Sequence, residues 1–398
     1  MARILLVGGT GAIGSAIALA LLQEGHQVFF LVRRKNGETP EQRVRDALSF
    51  YGQDTCHGAL NVFEGDVEAS PCCGLSEDSL NRLTGEIEEV VNCAADLGFG
   101  QTRQRSWSTN VGGTQNLLEL AQLLGAERFH HFSSAYVCGK KEGIIYEGDI
   151  SKEHGFHNVY EETKCEAEIL LRNKIKNPLW SNTTIYRLGV VLGDLQRGGI
   201  IGRFNGYYGF ANILFRLKHT LFAKIKKTPE TSPSAASGIE GNNLISLQER
   251  LVGEKANLGM VSLDRLVEMF LRIRENDDSM GLTLHLTSKP VSCRKLLEIL
   301  LNELKIKEVK TVEGEDSKTF KEAYTRLLLR LEKDFCNRMQ DFLPYLSEER
   351  WFDTTNMQVV LGKEYEPQVI NEDQLRQTLS YAIGMFSQQK GRGFTFSA

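Results

Sequence analysis

Arg3-Ile4-Leu5-Leu6-Val7-Gly8-Gly9-Thr10-Gly11-Ala12-Ile13-Gly14 is the stretch that decides the fold. A short apolar run meets a turn with glycines at 8, 11 and 14. Residues 12–24 then carry helical periodicity and stop at Gly25, a natural residue for a helix end. Strand, glycine turn and helix in that order give each glycine a task. Gly8 permits the tight turn, Gly11 lets the backbone approach a diphosphate, and Gly14 lets the helix pack closely on the strand. Free amides at the helix start attract the anion. The alternative is a glycine-rich turn with no ligand, so the rest of the chain has to choose.

Outward from this turn the first half alternates strands with helices. Strands are expected at residues 27–32, 60–64, 89–92, 128–132 and 183–187. Helices are expected at 41–50, from Ser76 as N-cap, at 109–124 and at 160–173. That alternation predicts an α/β fold, a Rossmann-type doubly wound parallel sheet. Such sheets bind ligands beyond the carboxyl ends of their strands, near the reversal of strand order. The second half reads as a smaller, mostly helical substrate domain. Helices are expected at 263–273, 293–304, 318–342 and 372–388, a strand at 282–286, and a flexible Pro/Ser/Gly-rich loop at 228–243. The reading divides the chain into 1–187, with a returning segment near 258–275, and 188–398.

Composition narrows the function classes. With 398 residues the chain can bury a substantial core. A net charge of −4 gives no reason to expect nucleic acid. No apolar run is long enough to span a bilayer, and Met1-Ala2-Arg3 leads straight into the first strand without a signal-peptide core. The 8 cysteines lack zinc-site spacing and read as reduced thiols of a cytoplasmic protein. No metal is expected. Homodimerisation stays open.

The end of the second strand bears on cofactor choice. An acid there would bind the ribose hydroxyls of NAD, but the chain has Val32-Arg33-Arg34-Lys35. A guanidinium can grip a 2′-phosphate in a fork, so Arg33 and Arg34 favour NADP(H). Asp66, after the third strand, is placed to accept from the adenine amino group, or is a turn aspartate.

Tyr160-Glu161-Glu162-Thr163-Lys164 supplies the chemistry. A free phenol titrates near ~10, too high for easy proton exchange at neutral pH. A lysine at i+4 lies on the same helix face, and its charge is expected to lower that value. A serine hydroxyl beside the tyrosine would orient a substrate oxygen and stabilise negative charge on it. Ser133 and Ser134 are both placed for this.

These motifs together resemble the extended short-chain dehydrogenase/reductase family. The matching landmarks are the glycine loop, Gly65-Asp66, Asn92-Cys93-Ala94-Ala95, Asn110-Val111-Gly112-Gly113-Thr114, Ser134 within Phe132-Ser133-Ser134-Ala135-Tyr136-Val137-Cys138-Gly139, and the Tyr160/Lys164 pair. The resemblance implies Ser134, Tyr160 and Lys164 as the catalytic triad, with Asn110 beside them. It implies cofactor contacts from Gly8, Thr10, Gly11, Ala12, Ile13, Gly14, Arg33, Arg34, Asp66, Val67, Cys93, Ala94, Ala95, Tyr160 and Lys164. Within the family the chain is most similar to the thioester reductase and fatty acyl-CoA reductase branch. That likeness rests on Leu31-Val32-Arg33, Gly74-Leu75-Ser76, Tyr186-Arg187-Leu188-Gly189-Val190-Val191-Leu192-Gly193-Asp194 and Phe352-Asp353-Thr354-Thr355-Asn356.

The implied activity is NADPH-dependent reduction of a carbonyl, an acyl thioester on a carrier protein or coenzyme A first of all. A ketone or hydroxysteroid-type oxidoreductase, a nucleotide-sugar epimerase or dehydratase, and a catalytically silent NADP-sensing regulator are the alternatives. The aromatic and basic segment from Phe204 to Lys227, with Tyr207, Tyr208, Phe210, Arg216 and Lys218, reads either as a packed helix or as an acyl tunnel receiving an acidic carrier protein. Cys93 and Cys138 flank the expected site and read as small buried hydrophobes more readily than as nucleophiles.

Overall fold

The computed structural model describes residues 1–51, 60–98, 102–176, 181–195, 199–201, 206–225, 252–305, 340 and 342–388. The expected loop at 228–243 and most of the expected helix at 318–342 lie outside them.

Seven parallel strands form the central sheet: β1 (Arg3–Val7), β2 (Gln27–Val32), β3 (Asn61–Glu64), β4 (Glu89–Asn92), β5 (Arg128–Ser134), β7 (Thr183–Leu188) and β11 (Thr283–Leu286). Their spatial order is β11-β7-β5-β4-β1-β2-β3. The order reverses between β1 and β4, whose register sets Val7 beside Asn92. The crevice beyond that pair is therefore where the fold places a ligand. The edge strand β11 comes from late in the chain and pairs with β7 from Thr283 beside Ile185 to Leu286 beside Leu188.

Helices cover both faces. On one lie α1 (Ala12–Gln23), α2 (Pro40–Ser49) and α8 (Leu263–Arg274). Their apolar sides close over Ile4, Leu6, Val28 and Phe30. On the other, α5 (Gly113–Leu124) and α6 (Val159–Ile175) cover Leu5, Val7, Val90 and Ile185. The strands are buried on both faces, which explains their continuous apolar runs. Local capping agrees with the sequence. Gly25 closes α1 at φ 82°, and the Ser76 hydroxyl accepts from the Ser79 amide at 3.2 Å to open α3 (Glu77–Leu83).

The expected helix at 109–124 is longer and interrupted. A short α4 (Arg103–Trp107) precedes it, and Ser108–Gly112 forms a π turn before α5. Periodicity counted at 3.6 residues per turn cannot see a turn that carries an extra residue.

A second apolar core sits beside the sheet. It packs α7 (Tyr207–Ile225), α9 (Cys293–Glu303) and α11 (Glu372–Gln388) around Tyr208, Leu214, Leu300 and Leu379. Short parallel ladders fasten this region to the sheet. They join β6 (Gly143–Ile145) to β13 (Arg350–Phe352), and β8 (Val190–Leu192) to β10 (Met260–Ser262). The segment 258–275 accordingly lies with both regions, through β10 and then α8.

Candidate active site

A cavity of about 770 Å³ runs from the crevice beyond β1 and β4 into the second core. Backbone builds its first half. Gly8 has φ +82°, and a Cβ there would stand 2.7 Å from the Ala94 nitrogen. At Gly14 a Cβ would stand 2.3 Å from the Gly8 oxygen, so α1 rests directly on the turn. No side chain caps the first turn of α1, and no acid lies in it. Its leading amides and Gly11 border the cavity, a ready anion site. Thr10, Ala12, Ile13, Val67, Cys93, Ala94 and Ala95 also line this half. The residues present fit a dinucleotide.

Its outer end is polar. Arg33 lines the cavity and pairs with Asp66 at 3.3 Å and Glu68 at 3.6 Å. Arg34 does not join it. Its guanidinium turns to Glu64 at 3.0 Å outside the cavity wall, because alternate residues of an extended chain point to opposite sides. A different cation does join. Arg43 of α2 donates to the Arg33 carbonyl at 2.5 Å and to the Thr10 hydroxyl at 3.0 Å, and it lines the cavity. Burial, then the neighbouring Arg33 charge, lowers its pKa.

The expected catalytic residues sit where the two halves meet. Ser134, at the end of β5, is buried, and its oxygen accepts from the Tyr136 amide at 3.2 Å. It also hydrogen-bonds the Tyr160 phenol, which opens on the cavity from the first turn of α6. Ser133 is committed elsewhere, donating to Glu168 at 3.1 Å. Lys164 is 1% exposed and donates to the Phe132 carbonyl at 2.6 Å. Its pKa is pushed down to about 8 by burial, which outweighs the pull of Glu168.

The phenol does not behave as the Tyr160/Lys164 spacing predicts. Burial drives it up to about 12 despite the Ser134 bond, and the Glu161 carboxylate adds to the rise. One donor of the Lys164 ammonium goes to the Phe132 carbonyl.

Asn110 lies beside these groups without lining the cavity. From the π turn its amide nitrogen donates to Thr163 at 2.9 Å and to the Asp96 carbonyl at 3.2 Å, while its oxygen accepts from the Asp96 amide at 2.8 Å. It pins the segment following β4 to the helix carrying Tyr160. Burial pushes the Cys93 thiol well up and that of Cys138 to about 11, so neither is a ready nucleophile.

Side chains build the second half. Val191, Tyr207, Phe210, Leu297, Phe342 and Leu346 line it, and among the described residues this wall carries no charge. The Tyr207 and Tyr136 hydroxyls donate to the Leu296 and Gly259 carbonyls, both at 3.4 Å, leaving their rings to the cavity. Arg216 and Lys218 point elsewhere, to Asn212 at 3.1 Å and to the Leu304 carbonyl at 2.5 Å. Phe204, Lys226 and Lys227 lie outside the described residues.

Three contributors lie outside the sequence motifs. Arg43 lies a helix away from its partner in sequence. Tyr345 comes from late in the chain. Glu168 anchors Ser133 and also holds Arg187 at 2.7 Å, with both side chains of that ion pair fully buried. Only Glu168 left a trace, recurring at i+4 from Lys164 on the buried helix face.

The profile of the family described as male sterility protein matches residues 6–231. A 3β-hydroxysteroid dehydrogenase/Δ5→4-isomerase of Mycobacterium tuberculosis is 29% identical over 184 residues, 45% of either chain. Fatty acyl-CoA reductase 1 of Rattus norvegicus is 32% identical over 157 residues, 36% of this chain and 30% of the relative. These matches span less than half the length of each relative. In fold, the terminal R domain from the myxalamid PKS-NRPS pathway has a TM-score of 0.69 at 19% identity, covering 100% of this chain and 92% of its own. A thiolation-reductase di-domain from an archaeal non-ribosomal peptide synthetase gives 0.67 at 16% identity, covering 97% and 76%. Among the described residues no helix is long and apolar enough to cross a membrane.

Proposed function

The chain belongs to the male sterility protein family, and from that premise we propose that it is an NADPH-dependent reductase of acyl thioesters, yielding an aldehyde or, after a second round, an alcohol. The observation that carries this reading is the Ser134–Tyr160 hydrogen bond at the junction of a dinucleotide cradle and an uncharged wall. A reduced nicotinamide cofactor in the cradle supplies hydride to the carbonyl carbon. The remaining steps belong to this chain. Gly8, Gly11 and Gly14 bring backbone amides to the diphosphate. Arg33 and Arg43 meet a 2′-phosphate, for which Arg33 exchanges its carboxylate partners. Lys164 holds the nicotinamide ribose. Ser134 and Tyr160 hydrogen-bond the substrate oxygen as negative charge builds on it, and Tyr160 delivers its proton. A phenol held near 12 stays protonated through the neutral range, which suits a proton donor. Loss of the thiol from the reduced carbon then leaves the aldehyde.

The wall carries no charge among the described residues, which favours an acyl group over a nucleotide-sugar, whose diphosphate would need cations there. The relatives named fatty acyl-CoA reductase and the R-domain and thiolation-reductase likenesses support a thioester carried on coenzyme A or an acidic carrier protein. A hydroxysteroid-type substrate is the second reading, favoured by the 29% identity to the mycobacterial dehydrogenase and by the same apolar wall. A panel of acyl-CoA, acyl-carrier and steroid substrates, followed by NADPH absorbance, separates the two. Thioester turnover lost in Tyr160→Phe supports the first reading, and turnover of steroids alone overturns it.

A further inference from the structure

We propose that Glu168 is a positioning residue: its carboxylate holds the Ser133 hydroxyl and the Arg187 guanidinium together, and so fixes the ends of β5 and β7 against α6 where Ser134 meets Tyr160. The proposal rests on the reading of Tyr160 as proton donor and adds what keeps its partner in place.

Tyr160, Lys164 and Glu168 recur at every fourth residue of α6, which sets them along one face of the helix. Each reaches a different residue at the end of β5. Tyr160 hydrogen-bonds Ser134, Lys164 donates to the Phe132 carbonyl at 2.6 Å, and Glu168 accepts from the Ser133 hydroxyl at 3.1 Å. Successive turns of the helix are thereby tied to successive residues of the strand.

Glu168 also holds a second strand. Ser133 and Arg187 are register partners on β5 and β7, so their side chains leave the sheet on the same face. The Glu168 carboxylate lies over both, accepting from Arg187 at 2.7 Å. The next residues of the two strands, Ser134 and Leu188, are partners as well, and both line the cavity. The clamp therefore closes one residue short of the site on each strand. Its outer bonds reach the chain that leads into α6. Arg187 donates to the Asp149 and Tyr146 carbonyls. Arg172, one turn beyond Glu168, donates to it at 3.0 Å and to the Glu147 and Gly148 carbonyls at 2.8 Å.

Burial of this ion pair argues for placement over stability. Both side chains are 0% exposed. Removing two charges from water costs about as much as their attraction returns, so such a pair adds little over an apolar contact of the same size. It supplies direction instead. A carboxylate with fixed donors on two strands admits one arrangement of strand ends and helix, whereas an apolar contact could slide.

The Ser133 hydroxyl can be removed without stranding a charge, so the test begins there. Ser133→Ala should lower the single-turnover rate about tenfold, short of the ~10²-fold that an ångström of misplacement can cost, while NADPH affinity and substrate KM stay within about twofold. The probe is the fastest substrate of the acyl-CoA, acyl-carrier and steroid panel. Glu168→Asp keeps the counter-charge for Arg187 but is a methylene too short to span both strands, and it should slow the enzyme by a similar factor. The double variant should be no slower than either alone, because both break one bond. In a Tyr160→Phe background Ser133→Ala should cost less than about threefold, since no proton donor is left to position. Ser133→Ala decides the matter if Glu168→Asp does not fold. A Ser133→Ala enzyme at the wild-type rate overturns the proposal. So does a loss shared equally with NADPH affinity, or one that persists in full beside Tyr160→Phe, either of which makes Glu168 a brace of the fold alone. Tyr160→Phe at the wild-type rate removes the proton-donor reading itself, and the proposal with it.

Discussion

The two halves of the cavity are made of different material. The cofactor half is backbone: a glycine turn, an uncapped helix start and small residues where chain passes close to chain. The substrate half is side chain: rings and branched aliphatics from α7 and α9 and from the segment near Tyr345. Backbone geometry is dictated by a few residues close together in sequence, and Gly8 and Gly14 have steric room for nothing larger. A wall of apolar side chains can exchange one residue for another of similar volume at little cost. The first half therefore constrains a ligand narrowly, and the second, among the described residues, offers only apolar contact.

The proposed catalytic pair, Ser134 and Tyr160, lies on the boundary, and it should produce the largest effect. Tyr160→Phe should lower single-turnover reduction by ~10²-fold or more, the loss expected for a removed general acid, with NADPH affinity retained. Equal losses of rate and affinity would mean that the boundary is misplaced and that Tyr160 belongs to the cofactor half.

On the cofactor side, Arg43→Ala should weaken NADPH relative to NADH by about 1–3 kcal/mol, the range for a hydrogen bond to a charged group. Arg33→Ala should cost less, because its guanidinium is 38% exposed and must leave Asp66 to meet the phosphate. Calorimetric titration with both cofactors measures each. A preference untouched by either substitution would break the assignment of NADP(H).

Lys164 gives effects of opposite sign in function and in stability. Its pKa falls from 10.5 to about 8 in the folded protein, by burial. The charged form, which in the proposed reading holds the ribose, is present below about 8 and fades above it, so NADPH affinity should decline through that region. Stability should do the reverse. Between about 8 and 10.5 the unfolded chain binds the extra proton, so this residue's contribution to stability rises with pH. Titrating affinity, and thermal unfolding of the cofactor-free protein, over the same range tests both. Lys164→Arg, permanently charged, should flatten the affinity profile.

The same division explains what could be read from the chain. β1, β2 and β4 were legible because continuous apolar runs are the mark of strands buried on both faces. The glycine turn and the Tyr160/Lys164 spacing were legible because each is a local constraint. The edge strand β11 was recognisable as a strand, but nothing near residue 283 says that it pairs with β7, a hundred residues earlier. Glu161 and Tyr345 meet across 184 residues, and neither residue type announces the other. The fall of Lys164 and the rise of Tyr160 depend on burial, which spacing alone does not report.

The smallest effect is expected at Arg34, and it sharpens the contrast most cheaply. From sequence, Arg33 and Arg34 are equivalent candidates. In the structure, one lines the cavity and the other pairs with Glu64 on the surface at 3.0 Å, both side chains more than half exposed. An exposed pair of this kind contributes little, because water and salt screen it. Arg34→Ala should therefore leave the NADPH/NADH preference within about twofold of the wild type, as expected where no phosphate contact is lost. The comparison with Arg33→Ala is internal, with the same residue type at adjacent positions and the same change of net charge. If the two substitutions weaken NADPH equally, the effect comes from general positive charge near the strand end. If only Arg33→Ala does, the phosphate is held by one side of the strand, with Arg43 as its second partner.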